Sequence, residues 1–380
     1  MAAKRIALKL NEWPAQDRAA WQAALVPGDL FDAGGPASNW APSTQSGVST
    51  CYGRWLAWLT SLGPLVDDQT PAARVTAEAI IGYVAYLRTQ RATSSAGAYL
   101  AFLVMALKAI EPDRDWSWLQ RIVARLKMLS TPARDKRPRL QDTDDLFAYG
   151  LELIEKAEIS ATAGALPGVI TWECATQYRD GLMLALLAVR PFRRKNFCAI
   201  QIGQHLVHQK GRYGLIFEGC ETKSGQPLQQ PFPPELVAGL ERYLACYRPW
   251  LCRQTSNRDP RFPFKPAGQH LWVSKTGSAL SPEIFYKNLR RRTAARFGRS
   301  VHPHLFRDCA ATTIATHDPE HVRITMNILG HRSMQMSERH YNHAQSVQAA
   351  GRLQDNILKL RRAAQRTARV RPNGQAEQEP

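Results

Sequence analysis

The stretch from His302 to His343 holds seven of the ten histidines in the chain. It reads H-P-H-L-F-R-D-C-A-A-T-T-I-A, then L-G-H-R-S, then E-R-H-Y-N-H. His304 and Arg307 are three positions apart, so on a helix they share a face. A histidine and an arginine side by side can bind a phosphate and manage a proton next to it. Alone, H-x-x-R is a common pattern and says little. The spacing around it says more. His331 follows Leu329-Gly330, and Tyr341 comes ten residues later in a polar setting, between Arg339-His340 and Asn342-His343. Upstream, Phe192-Arg193-Arg194-Lys195-Asn196-Phe197 ends an apolar helix and enters a strand, and Glu221-Thr222-Lys223-Ser224-Gly225 sits in a turn between two predicted strands. His317 and His321 have the i,i+4 spacing that suits zinc on a helix, but no cysteine or carboxylate cluster completes such a site.

The elements that carry these residues follow from hydrophobic period and punctuation. Residues 1–45 read as a loosely structured arm with a short helix near 14–25. From about 48 to 128 the period is helical, with Tyr52, Trp55, Leu56 and Leu59, then Ile80, Val84 and Leu87, then Leu100, Leu103, Leu107 and Ile110. Breaks at Gly63-Pro64, Pro71 and Pro112 divide it into about four helices. Ser130–Arg139, with two prolines and four basic residues, reads as a linker. Helices near 142–157 and 172–190 open a second region. There the period changes, and Phe197–Val207, Tyr213–Glu218 and Gln226–Phe232 read as three short strands. Pro233-Pro234 begins a helix to about Tyr247, and Leu271–Val273 is a short strand. Ser281-Pro282-Glu283 starts a further helix with a serine cap, and Asp318-Pro319-Glu320 repeats the device. Residues 344–369 read as one helix with a thin apolar stripe at Leu353, Ile357 and Leu360.

The 380 residues include 50 Lys+Arg against 32 Asp+Glu, a formal charge of +18. The excess favours a polyanion, and nucleic acid is the obvious one. The basic residues cluster at 134–139, at 190–195, at 290–299 and at 361–371. An apolar share of 44% with ten tryptophans excludes a disordered chain. The longest strongly apolar run, Leu182–Val189, is about eight residues where a membrane span needs roughly 20. Seven scattered cysteines with no C-x-x-C give neither a disulfide framework nor a zinc ribbon. With no apolar leader after Met1, these features point to a reduced, soluble, cytoplasmic protein.

Taken in order, Arg193, Lys223, His304-x-x-Arg307, Leu329-Gly330-His331 and Tyr341 resemble the tyrosine site-specific recombinases of the phage-integrase family. The resemblance covers 170–345 well. Residues 48–128 look like that family's core-binding domain by composition and position only. It implies a multidomain chain: an N-terminal all-α core-binding (SAM-like) domain plus a C-terminal mixed α+β tyrosine-recombinase catalytic domain, closing around DNA as a C-shaped clamp. The segments would be an arm at 1–45, a core-binding domain at 46–130, a basic linker at 131–140, a catalytic domain at 141–345, and a C-terminal helix and tail at 346–380.

By that resemblance Tyr341 attacks a scissile phosphate, forms a 3′-phosphotyrosyl link and releases a 5′-hydroxyl. Ionising a phenol at neutral pH costs roughly 4 kcal/mol, which fixed positive charges around the phosphate offset. Arg193 and Arg307 would grip the non-bridging oxygens, where a planar guanidinium fits bidentately. His304 would act as general base or orient the phosphate, His331 would donate a hydrogen bond to it, and Lys223 would protonate the leaving oxygen. The implied partners are double-stranded DNA and three further copies of the chain, a homotetramer on paired DNA sites; no cofactor, metal or membrane is implied. The reaction would serve integration, excision or transposition of a mobile element. A type IB topoisomerase-like or hairpin-resolving enzyme and a non-catalytic DNA-binding accessory protein are the alternatives.

The chain departs from the family pattern in places. Arg190 competes with Arg193, but Phe192, Asn196 and Phe197 fit the surrounding slots when Arg193 is chosen. Asn196 stands where an acidic residue is usual, Pro191 where glycine is usual, and Asp308 where histidine is frequent. Lys210, in the preceding turn, is the rival of Lys223.

Overall fold

The computed structural model describes residues 6–65, 69–90, 92–130, 136–163, 169–254 and 264–317. The chain divides into two compact units, Met1–Asp135 and Lys136–Pro380. Among the described residues it is mostly helical, with one small antiparallel sheet.

The first unit is all-helical among its described residues: α1 (Ala15–Ala24), α2 (Pro42–Thr60), α3 (Ala77–Gln90), α4 (Thr93–Ile110) and α5 (Ser117–Leu129), with short 3-10 turns between some of them. The four helices after residue 41 match the four read from the hydrophobic period. Each turns an apolar stripe inward: Val48, Tyr52, Trp55 and Leu56 from α2, Ile80, Tyr83 and Leu87 from α3, and Leu100, Leu103 and Leu107 from α4. By length and composition α4 is apolar enough to cross a membrane, but half of it is buried in this core. That is the behaviour of a core helix.

The expectation of a loose arm over 1–45 needs correction for residues 6–45. Trp13, Trp21, Ala24 and Ala37 are buried in the same core, with Trp13 against Tyr52 at 4.8 Å between ring centres. Asp17 of α1 is wholly buried, and Arg74 reaches both its carboxylate oxygens at 2.7 Å while the Tyr52 hydroxyl donates at 2.6 Å. A buried carboxylate without such partners would be strongly destabilising, so this triad fixes α1 to the helices that follow. The partners lie 35 and 57 residues downstream, beyond the reach of any local sequence pattern.

The second unit is built on α6 (Thr143–Ala163) and α7 (Trp172–Val189), followed by the one-turn α8 (Arg194–Cys198). Three antiparallel strands follow in the order β1-β2-β3: β1 (Leu206–Gln209), β2 (Arg212–Phe217) and β3 (Leu228–Pro231). Leu206 pairs with Leu215, and Leu215 with Gln230. Pro231 ends β3, an edge strand where a missing N–H costs no ladder bond. Then come α9 (Val237–Arg242), a π turn at Tyr243–Tyr247, α10 (Arg248–Arg253), α11 (Pro282–Phe297) and α12 (Pro303–His317). Ser281 caps α11 as its sequence indicates, its hydroxyl accepting from the Ile284 N–H.

Two strand expectations are corrected. Phe197–Val207 is not a continuous strand; its first residues belong to α8, and only its end enters β1. Apolar residues at both parities, Phe197 and Cys198 then Ile200, leave no alternation to hold a strand, and all three are buried. Leu271–Val273 forms no strand; Val273 makes a single bridge to Ala279. The Trp272 indole donates to the Phe197 carbonyl at 2.9 Å, and the two rings stack at 5.3 Å. This contact ties α8 to the core.

Helices α6 and α7 cross at Gly150 and Gly181. A Cβ at 181 would lie 2.7 Å from the Gly150 carbonyl oxygen and 2.9 Å from the Leu153 Cβ, atoms that cannot swing aside. Gly181→Ala is expected to force the helices apart. Overpacking of this kind costs about 1–3 kcal/mol, or roughly 2–12 °C in melting temperature for a unit of this size. A thermal melt of the variant with an unchanged midpoint would show that the crossing is not tight.

Candidate active site

Three of the six residues singled out by the sequence converge where α7 ends, α8 begins and α12 starts. Arg307 lies one turn into α12 and is 5% exposed. Its guanidinium donates to the Pro191 carbonyl at 2.7 Å, which fixes α12 to the α7–α8 connection. Two residues further on, half-buried Arg193 is the N-cap of α8. Burial and then the charge of Arg193 push Arg307 down to about 10, with Asp308 acting in the opposite sense. Burial also lowers Arg193. Two guanidinium groups are thus held close enough to repel, on a surface partly shielded from water. The natural complement of such a pair is an anion with several oxygens.

His304 sits one turn before Arg307 on α12 and is exposed. Its pKa is lowered, first by desolvation and then by Lys136, Arg307 and Arg193, while Asp308 pulls it upward. At neutral pH the ring is therefore neutral and able to accept a proton. His302 has a different task, which sequence reasoning missed. Its Nδ1 accepts from the Leu305 N–H at 3.1 Å, so it caps α12 and must keep that lone pair free. Its pKa is lowered too, by desolvation and then by Arg139. Asp308 pairs with Lys136 at 3.3 Å. Arg139 donates to the Ser300 carbonyl and hydroxyl, so 136–139 is fastened to the start of α12.

The rival arginine is engaged elsewhere. Arg190 donates to the carbonyls of Val189 and Pro231 at the end of α7. Lys223 lies in the β2–β3 connection, exposed and with its side chain in no hydrogen bond or ion pair among the described residues. Its turn is closed by Gly225 at φ +72° and by the Thr222 hydroxyl donating to the Gln226 carbonyl at 2.7 Å. Lys210 is also exposed, in the β1–β2 turn, at φ +48° ahead of Gly211. His331 and Tyr341 lie outside the described residues, as do His321, the 318–320 helix start and the 344–369 helix.

Asn196 ties α8 to a distant turn. It is buried, and its side-chain amide donates to the Glu221 carbonyl at 3.1 Å, joining α8 to the turn that carries Lys223. Glu221 also receives His205 Nε2 at 2.8 Å. Neither His205 nor Glu221 stands out in the sequence; only the E-T-K-S-G run hints at the second.

Depressed histidine pKa values mean that unfolding takes up protons in acid. The stability from His302 and His304 is fully present above the unfolded value near 6.5 and is lost as pH falls through the lower folded values. An NMR titration is expected to place His304 below 6.5, and Asp308→Asn to move it lower still. A midpoint at or above 6.5 would contradict the positive surroundings described.

Neither a family model nor a curated protein matches the sequence; solved structures do. The chain is similar to the XerH site-specific recombinase bound to difH substrate in a pre-cleavage complex, with a TM-score of 0.53 at 14% identity over 83% of this chain and 81% of that one. It is similar also to XerH bound to palindromic difH substrate in a post-cleavage complex, with a TM-score of 0.55 at 14% identity, covering 84% and 82%. At that identity the likeness is one of fold: the chain has the fold of these recombinases.

Proposed function

We propose that this chain is a site-specific DNA recombinase that cuts and rejoins strands through a 3′-phosphotyrosyl intermediate, in integration, excision or transposition of a mobile element. The observation that carries the reading is the pair Arg193 and Arg307, one of them buried, beside a neutral His304. Its setting, a fold shared with recombinases crystallised on DNA, supports it. Residues 46–130 serve as the core-binding domain, with 6–45 built into it, 131–140 as the linker, 141–345 as the catalytic domain and 346–380 as the C-terminal helix and tail. The working form is a homotetramer on paired double-stranded sites.

The steps follow from the chemistry of the groups. Arg193 and Arg307 take the non-bridging oxygens of the scissile phosphate, which relieves the repulsion between them. Their charge is aimed where negative charge grows in the pentavalent transition state. Tyr341 Oη attacks phosphorus as its proton passes to His304. The new P–O bond forms as the P–O5′ bond breaks, and the departing oxygen takes a proton from Lys223 Nζ. His331 donates to a phosphate oxygen. The phosphotyrosyl link conserves the bond energy, so a 5′-hydroxyl from a partner strand rejoins it with no external energy source. Most of the affinity for DNA comes from phosphate contacts and falls steeply with salt.

The test uses duplexes selected from a random pool by the full-length protein, nicked beside the cleaved position to trap the adduct. Wild type is expected to give a covalent adduct on a denaturing gel, and Tyr341→Phe none. Arg193→Ala and Arg307→Ala are each expected to slow adduct formation by about 100- to 1000-fold with binding retained. An adduct that survives Tyr341→Phe would sink the mechanism. Site-independent relaxation of plasmids would favour the topoisomerase-like alternative, and binding without an adduct the accessory protein.

A further inference from the structure

The β2–β3 connection, Glu218–Pro227, presents Lys223 at an exposed tip, yet its base is pinned from several sides. The Glu221 carbonyl accepts from Asn196 Nδ2 at 3.1 Å. One Glu221 carboxylate oxygen accepts from His205 Nε2 at 2.8 Å, and the other from the Glu218 N–H at 2.9 Å. His205 is 3% exposed and packs against Phe217 at 5.0 Å between ring centres. Its other nitrogen, Nδ1, accepts from the Gln201 N–H at 3.0 Å. That bond dictates the tautomer: Nδ1 offers its lone pair, so the proton is on Nε2, which donates to Glu221. The His205 main chain is held as well, its carbonyl accepting from the Ile216 N–H at 2.9 Å. One buried imidazole thus links the segment after α8 to the turn two residues before Lys223. The His205 bond holds the Glu221 carboxyl below the usual carboxylate range, so Glu221 stays ionised as an acceptor.

Resting on the reading of Lys223 as the general acid, we propose that His205 and Glu221 are positioning residues that set the Lys223 ammonium in register with the phosphate gripped by Arg193 and Arg307. Neither touches the reacting atoms. Asn196 supplies the third tie. Its neutral amide donates to the turn's backbone carbonyl, an oxygen that a carboxylate at this position would repel. The lock acts on one event only: as the P–O5′ bond breaks, its electron pair takes a proton from Lys223 Nζ.

A leaving group that needs no proton separates this role from a general structural one. The selected duplex is made with sulfur in place of the scissile 5′-bridging oxygen. A thiol has a pKa near 8.5, so sulfur departs as thiolate without an acid. His205→Phe keeps the packing on Phe217 and removes both ring hydrogen bonds; Glu221→Ala removes the acceptor; His205→Gln keeps a donor at the Nε2 position. His205→Phe and Glu221→Ala are expected to cleave ordinary DNA about 100-fold more slowly, the loss that a misplacement of roughly 1 Å produces. Both should cleave the sulfur-containing duplex at the wild-type rate, and His205→Gln should recover most of the activity on ordinary DNA.

An equal loss on both substrates, or none on ordinary DNA, overturns the proposal. Lost binding in both His205→Phe and Glu221→Ala does the same, because the network would then hold the fold rather than the acid. If wild type cleaves neither substrate, the recombinase reading itself fails, an outcome distinct from all of these.

Discussion

Holding two guanidinium groups together where water is scarce is the constraint on which this molecule turns. Arg193 and Arg307 repel, and the burial of Arg307 makes the repulsion costly. Asp308 adjoins the pair and is itself shared with Lys136. Buried charges elsewhere are paired at short range, as at Asp17 and Arg74 in the first unit or at Arg179 and Asp180, 2.6 Å apart, in the second. Two guanidinium groups held this close suit an anion with several oxygens, such as a phosphate. Desolvation first, and then the same positive charges, lower the pKa of His304, so the setting that holds the two arginines also favours the neutral imidazole.

The scaffold makes this arrangement rigid at a few contacts. The close crossing of α6 and α7 at Gly150 and Gly181 sets the direction in which α7 delivers the chain to Pro191. The Arg307 bond to the Pro191 carbonyl then locks α12 to that point, and the stack of Phe197 on Trp272 and Phe285 keeps α8 from shifting. On the other side the small sheet contributes a tip, and the Asn196–Glu221–His205 ties bring that tip under the control of the same helix. The basic residues are spread along a strongly basic chain, whereas the geometry of the candidate site rests on these few short connections.

Much of this was legible in the sequence. The helical stripes of α2 to α4, the serine cap of α11 and the i,i+3 placement of His304 and Arg307 follow from period and spacing, and the structure reproduces them. What escaped reading depends on contacts far apart in the chain. Asp17 reaches Arg74, and Trp13 and Trp21 enter a core formed later in the chain, so a segment that looked loose is integral. The expected strand at Phe197 failed because burial on all sides erases the alternation that marks a strand. His205 and Glu221 could not be singled out, since an isolated histidine and an acid 16 positions away carry no pattern. Arg190 and Arg193 could be ranked from neighbouring residues, whereas the carbonyl partners of Arg190 had no trace in the sequence.

The most direct test of the central claim, that this charged cluster serves attack by a tyrosine on DNA, is the chemistry of the trapped ends. Protease digestion of the covalent adduct followed by mass spectrometry should find the nucleotide on the peptide that carries Tyr341. The released strand should carry a free 5′-hydroxyl that polynucleotide kinase can label without prior phosphatase treatment. A nucleotide on any other side chain, or a released 5′-phosphate, would contradict the account.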